Sequence, residues 1–167
     1  SPLSSGVIFN NLLVIDAFST TSKIFIVISS LICCIISMQY LEHKKVNSFE
    51  YFILILLATL GMLCLASVYD LLSLYLSVEL VSLSFYVLAA YKRNSEFSGE
   101  AGLKYFILGA FSSGLLLFGS SMVYGFTGMT NFEDIAKLLL GIGAISDPIS
   151  YMGIILGVLF ISIALLF

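Results

Sequence analysis

Long apolar runs separated by short polar breaks dominate this chain, and their lengths match a bilayer better than a soluble core. The run 24–41 carries no charge, has Lys23 near one interface, and is broken by Glu42, His43, Lys44 and Lys45. Asn47 and Glu50 have the spacing of a helix cap and its third residue, and a second apolar run covers 51–69. Asp70 marks a tight turn, after which LLSLYLSVELVSLSFYVLAAY (71–91) is long enough to span a membrane. Lys92, Arg93 and Glu96 form the next loop, and a fourth helix covers 99–124. Thr130 and Glu133 read as a capping box for a short helix ending at Gly141. Its residues Phe132, Ile135, Ala136 and Leu139 share a face, which places it on the membrane surface. Asp147 caps and Pro148 opens the last span. The pattern predicts an all-α polytopic membrane protein with five spans, at 22–41, 50–69, 71–91, 100–125 and 149–167. By region, 1–16 is a Ser- and Asn-rich loop, 17–125 holds four spans, 126–148 is a loop with the short helix, and 149–167 is a truncated fifth span. Asp16 is expected to cap the first helix near Ala17.

Composition agrees. Of 167 residues, 60% are hydrophobic and only 10% charged, against about a quarter charged in soluble domains. The net charge of −3 points to no acidic or basic partner, and no basic–aromatic interleaving supports nucleic-acid binding. Cys33, Cys34 and Cys64 lie in apolar runs without C-x-x-C spacing, so neither a disulfide framework nor a metal site is expected. His43 is expected to be solvated in a loop. The first residue is not methionine, and the last span stops without a polar tail; both ends read as cut, or as completed by another chain.

One residue breaks the apolar pattern where it costs most. Glu79 lies about 12 Å into its run, near the membrane midplane, where an acidic side chain costs about 2.5–3.5 kcal/mol to insert. Tyr75, Glu79, Ser82 and Tyr86 share one helical face, with Ser73, Ser77 and Ser84 opposite. Such a helix belongs inside a bundle, and an ionisable residue there marks an ion or proton path more often than a packing group. In the next helix Glu100 and Lys104 stand one turn apart in the favourable order. Gly109 with Ser113, Ala110 with Gly114, and Gly153 with Gly157 are small-xxx-small pairs for close helix contact. Lys44, Lys45, Lys92, Arg93 and Lys104 fall on one side and Lys23 and Lys137 on the other, which puts the loops 42–50 and 92–100 on the cytoplasm- or matrix-like side.

The stretch DLLSLYLSVELVSLSFYVLAAYKRNSEFSGEAGLKYFILGAFSSGLLLFGSSMVYGFTG (70–128) closely resembles the chain-2 family of NADH:ubiquinone oxidoreductase, respiratory complex I. The Y-L-x-x-E-L-x-S-L-x-F-Y-V core around Glu79 and the E-A-G-L-K-Y-F-I-L-G-A-F-S-S-G run from Glu100 carry the likeness, which extends more weakly from Asp16 to Phe167. It favours mitochondrial and related bacterial forms. The resemblance implies a proton-translocating membrane-arm subunit, part of an antiporter-like bundle of two inverted five-helix repeats, in the mitochondrial inner membrane, with the bacterial plasma membrane as the alternative. It implies that Glu79 is the carboxylate of a Glu–Lys pair gating proton movement, with Lys104 and Glu100 matching a second motif. The resemblance aligns the five spans with helices three to seven of the family, whose broken helix seven carries the partner lysine; that lysine would come next after Phe167. The expected partners are therefore other membrane-arm subunits, the lipid bilayer, and a separate chain that supplies the remaining helices, the lysine beside Glu79 and a close helix neighbour at Gly153 and Gly157. With neither a G-x-G-x-x-G after a strand nor a cysteine ladder, no cofactor is expected in this chain, and redox chemistry belongs to other subunits. The competing readings are a stand-alone cation/proton transporter half and a structural membrane subunit without pumping.

Overall fold

The computed structural model describes residues 6–8, 12–44, 48–140 and 148–166. Its elements are two short strands, β1 (Gly6–Ile8) and β2 (Leu13–Ile15), then α1 (Ala17–Lys44), α2 (Ser48–Leu65), α3 (Leu71–Ala89), α4 (Glu96–Thr127), α5 (Phe132–Leu139) and α6 (Pro148–Leu166). Lys45, the Asn47 and Asp147 caps, the Gly141 helix end and Phe167 lie outside the described residues. Among those described, four helices are long and apolar enough to cross a membrane, and α2 contributes a shorter apolar stretch, Phe49–Leu65. That stretch covers about 26 Å at 1.5 Å per residue, a little less than the ~30 Å hydrocarbon core.

Helix ends follow local chemistry. Asp16 caps α1 as expected: its Oδ1 accepts from the Ser19 N–H at 2.6 Å, and Ser19 Oγ accepts from the Asp16 N–H at 3.1 Å. The polar residues after Leu41 do not break α1, which carries His43 and Lys44 in its last turn. Ser95 caps α4 a turn earlier than expected, accepting from the Ser98 N–H at 3.4 Å, and Gly128 ends the helix with a left-handed φ of 68°. For α5 the cap is Asn131 rather than Thr130: the Asn131 side chain accepts from the Glu133 N–H at 3.0 Å, while the Thr130 carbonyl is engaged by Leu71.

Two expectations fail for one reason. Residues 1–16 are not all loop, and α2 stops at Leu65 instead of 69. β2 pairs antiparallel with β1 and then bridges Val68, the Val14 N–H donating to the Ser67 carbonyl at 2.8 Å and the Tyr69 N–H to the Leu12 carbonyl at 3.0 Å. On its other side the same connector bridges Asn131: the Leu71 N–H donates to the Thr130 carbonyl at 3.0 Å, and the Phe132 N–H to the Tyr69 carbonyl at 3.2 Å. With backbone partners on both sides, residues 66–70 gain more from extending than from another helical turn.

The connector therefore ties the hairpin, α2, α3 and α5 together at one end of the bundle. Ile135 of α5 clusters with Leu71 and Val123, and Phe132 and Ile161 pack against that cluster, so the apolar face of this short helix seals the bundle end. Outside, the Tyr69 hydroxyl donates to Glu133 Oε2 at 2.6 Å, and Lys137 Nζ lies 2.7 Å from Glu133 Oε1. At the opposite end Arg93 pairs with Glu50 at 3.2 Å across two connections. Exposed, that pair contributes at most about 1 kcal/mol.

Small residues set the helix contacts. A Cβ on Gly119 would lie 2.7 Å from the Gly157 carbonyl, and one on Gly157 would lie 2.8 Å from Val123 Cγ2. Gly153 faces Phe126, whose ring fills the space a side chain would need. The close neighbour expected at Gly153 and Gly157 is thus α4 of this same chain, not a separate one. Of the other small pairs, Gly109 and Ser113 face α3, whereas Gly114 has no atom within 4 Å of the position its Cβ would take. The outward faces of α1 and α6, including Ile32, Ile35, Ile36, Ile155, Leu159 and Ile163, are exposed and apolar, which suits contact with lipid or with further helices.

Two outcomes follow from this packing. Gly119→Val should destabilise the α4–α6 pair by about 1–3 kcal/mol through overpacking, seen as lower assembled protein and a lower melting temperature. Gly99→Ala, at an exposed position with nothing within 4 Å, should be neutral or slightly stabilising. The α5 contact should depend on pH. The hydrogen bond and charge of Lys137, with the Tyr69 hydroxyl, hold the Glu133 carboxyl below its ordinary value. That contribution is complete above the ordinary carboxylate range and is lost as pH falls through the lowered value. Hydrogen exchange of the α5 amides should accelerate on acidification in the wild type, and Glu133→Gln should flatten the response.

Candidate functional site

The helix that carries Glu79 is fixed at both ends before the carboxylate is considered. Asp70 caps α3 by accepting from the Leu72 N–H at 3.2 Å, and its own backbone is held in the bridge to Asn131. Along α3 the two serine faces separate as the wheel expects. Ser77 and Val81 press on Gly61 of α2, where a Cβ would lie 2.7 Å from Val81 Cγ2 and 3.2 Å from the Ser77 carbonyl. Glu79, Ser82 and Tyr86 turn toward α4.

The α3–α4 register then decides what Glu79 meets. Ala90 sits against Gly102, Tyr86 against Gly109, and one further step along the antiparallel pair brings Ser113 opposite Glu79. Ser113 Oγ donates to Glu79 Oε2 at 2.5 Å. A hydrogen bond to a charged group is worth about 1.5–3 kcal/mol net, against an insertion cost of about 2.5–3.5 kcal/mol. One serine therefore offsets much of that cost and holds the carboxylate in place.

Beside this bond lies a cavity of ≈ 290 Å³ bounded by α3, α4 and the last turn of α6, with Ser82, Tyr86, Tyr105, Ser112 and Ser113 supplying hydroxyls. Ser112 Oγ donates to the Ala164 carbonyl at 2.8 Å, which anchors α6 at the same level. The Tyr86 and Tyr105 rings meet edge to face at 4.8 Å, and Tyr105 itself is exposed. The cavity is polar enough and large enough for several waters.

Glu100 and Lys104 are not brought to this site. They pair with each other at 2.5 Å on the surface of α4, both side chains more than half exposed. Lys104 stands nine residues before Ser113, about 14 Å along the helix axis. Among the described residues no ion pair involves Glu79, and no cluster of three metal-ligating side chains forms. Ser113 is the partner of Glu79 that the sequence reading missed, where it stands as a small packing residue. The adjacent hydroxyls Ser112 and Ser113 midway along the helix were the available signal, but Ser120 and Ser121 offered a similar one, and which of them met Glu79 depended on register.

Known proteins resemble this chain over most of its length. NADH-ubiquinone oxidoreductase chain 2 of Marchantia polymorpha is 51% identical over 100% of this chain, and that of Arabidopsis thaliana 48% over 95%. NADH-quinone oxidoreductase subunit N of Paramagnetospirillum magneticum is 48% identical over 95%. The chain spans about a third of the length of these relatives: 34%, 32% and 32%. Among solved structures, a chain of respiratory complex I from Thermus thermophilus matches with a TM-score of 0.68 and 27% identity, over 97% of this chain and 32% of that one. A chain of the membrane-bound sulfane sulfur reductase, an archaeal respiratory membrane complex, matches with a TM-score of 0.63 and 28% identity, over 72% of this chain and 23% of that one. The helices that hold Glu79, Ser113 and the cavity all lie within residues 68–167, the part that matches the model of the NADH:quinone oxidoreductase/Mrp antiporter transmembrane family, and this multi-pass membrane chain belongs to that family.

Proposed function

We propose that this chain is part of a membrane-arm subunit of a proton-translocating NADH:ubiquinone oxidoreductase, and that Glu79 is its proton-carrying group. The observation that carries the reading is a carboxylate midway along a membrane helix, held by one hydroxyl at the edge of a polar cavity. The relatives named for that enzyme support the assignment of the complex. Electron transfer takes place in other subunits, and this chain handles charge. Further helices supply a lysine that approaches Glu79, and the pair titrates as a unit. With the cation near, the carboxylate stays ionised; with the cation withdrawn, it takes a proton. Lys104 and Glu100, paired at the surface, act at the membrane–water boundary rather than on Glu79 directly.

The proposed location is the mitochondrial inner membrane, supported by the likeness to ubiquinone-linked chain-2 proteins of a liverwort and a flowering plant. The end bearing Lys92, Arg93 and Lys104 faces the matrix, following the distribution of positive charge.

Glu79→Gln keeps size and hydrogen bonding but cannot ionise. In the assembled complex it should lower the number of protons moved per electron while leaving assembly largely intact; normal pumping would make the carboxylate a packing group. Lys104→Ala should have a milder effect in the same assay, since an exposed i,i+4 pair is worth only about 0.3–0.5 kcal/mol. A cysteine placed at Lys92 should react with an impermeant thiol reagent from the matrix side. Reaction from the opposite side would reverse the orientation.

A further inference from the structure

We infer that Ser113 relays the proton between the hydroxyl-lined cavity and Glu79, which deepens the reading of Glu79 as proton carrier and rests on it. Two placements coincide in this one side chain. Its Oγ donates to Glu79 Oε2 at 2.5 Å, and the same residue lines the cavity with Ser82, Tyr86, Tyr105 and Ser112. Ser113 bounds the cavity and bonds the half-buried Glu79, so its hydroxyl links the two. A hydroxyl has one proton to give and two lone pairs to accept with. Ser113 uses its proton on Glu79, leaving lone pairs for a donor in the cavity.

Two neighbouring hydroxyls are committed elsewhere. Ser112 spends its proton on the Ala164 carbonyl, and Ser82 is hydrogen-bonded to Tyr86. The transfer balances without any further reactant. A hydrated proton in the cavity gives its proton to Ser113 Oγ as the Ser113 O–H proton passes to Glu79 Oε2. One O–H bond breaks and one forms at the serine, water is left in the cavity, and the acid is neutral. Release retraces these steps. The cavity reaches Tyr105, an exposed residue about 12 Å along α4 from Ser113 toward the Lys104 end, so the relay faces the positively charged side.

The test uses the assembled complex in sealed vesicles, with protons per electron, the amount of assembled complex and the infrared carboxyl band of Glu79 as readouts. Ser113→Ala should assemble and lose as many protons per electron as Glu79→Gln, with the Glu79 band shifted by the missing hydrogen bond. Ser113→Thr, which keeps the hydroxyl, should retain translocation. Normal translocation in Ser113→Ala while Glu79→Gln is impaired overturns the relay and leaves the reading of Glu79 standing. Normal translocation in Glu79→Gln overturns both. If Ser113→Ala assembles poorly, Ser113→Gly removes the hydroxyl without adding volume. Failure of both to assemble, with Ser113→Thr intact, assigns the hydroxyl to structure and overturns the relay.

Discussion

The close approach of α3 to α4, with Ala90 against Gly102 and the Tyr86 ring against Gly109, fixes the relation on which the rest of the bundle depends. A Cβ on Gly102 would lie 2.5 Å from the Cβ of Ala90, so the helices cannot slide by a residue without a collision. In a membrane there is no water-driven collapse to hold two apolar helices together, and contact of this kind supplies the association. The register it sets places Ser113 opposite Glu79, and a shift of one residue would swing that hydroxyl about 100° around the helix. Packing residues and the polar site are therefore one arrangement: glycines lock the register, and the register makes the hydrogen bond.

The same economy governs the bundle ends. Backbone groups that leave a helix near a bilayer must find partners, and the connector 66–70 finds them in β2 on one side and in the start of α5 on the other. That arrangement shortens α2, starts α3 at a capped Asp70, and draws α5 over Leu71 and Val123. The second helix seam, Gly119 with Gly157, brings the last turn of α6 to the level of Ser112 and closes one side of the cavity. These contacts position the Glu79 site, and among the described residues the carboxylate's hydrogen bond comes from α4.

Energetically the hydroxyl matters to the site. A single hydrogen bond to a membrane carboxylate, about 1.5–3 kcal/mol, is comparable to the cost of inserting that side chain, about 2.5–3.5 kcal/mol. Lys104, by contrast, is already paired and exposed, and its charge is shared with Glu100 and water.

What could be read from the chain itself was whatever depends on composition and period. Apolar run length gave the spans, because a bilayer demands about twenty residues without charge. A lone acid in such a run made Glu79 the candidate, and Asp16 before Ala17 capped α1 as its side chain dictates. Where partners lie far apart in sequence, periodicity was silent. It could not see that Leu12 and Thr130 would claim the ends of the α2–α3 connector, that Asn131 would displace Thr130 as cap, or that Gly157 would meet Gly119. A helical wheel tells which residues share a face but carries no information on the axial offset of the helix opposite. The sequence by itself determined that a carboxylate sits in the membrane; only the tertiary register decided that a serine holds it, because a 2.5 Å hydrogen bond between residues 79 and 113 depends on how two helices slide past each other.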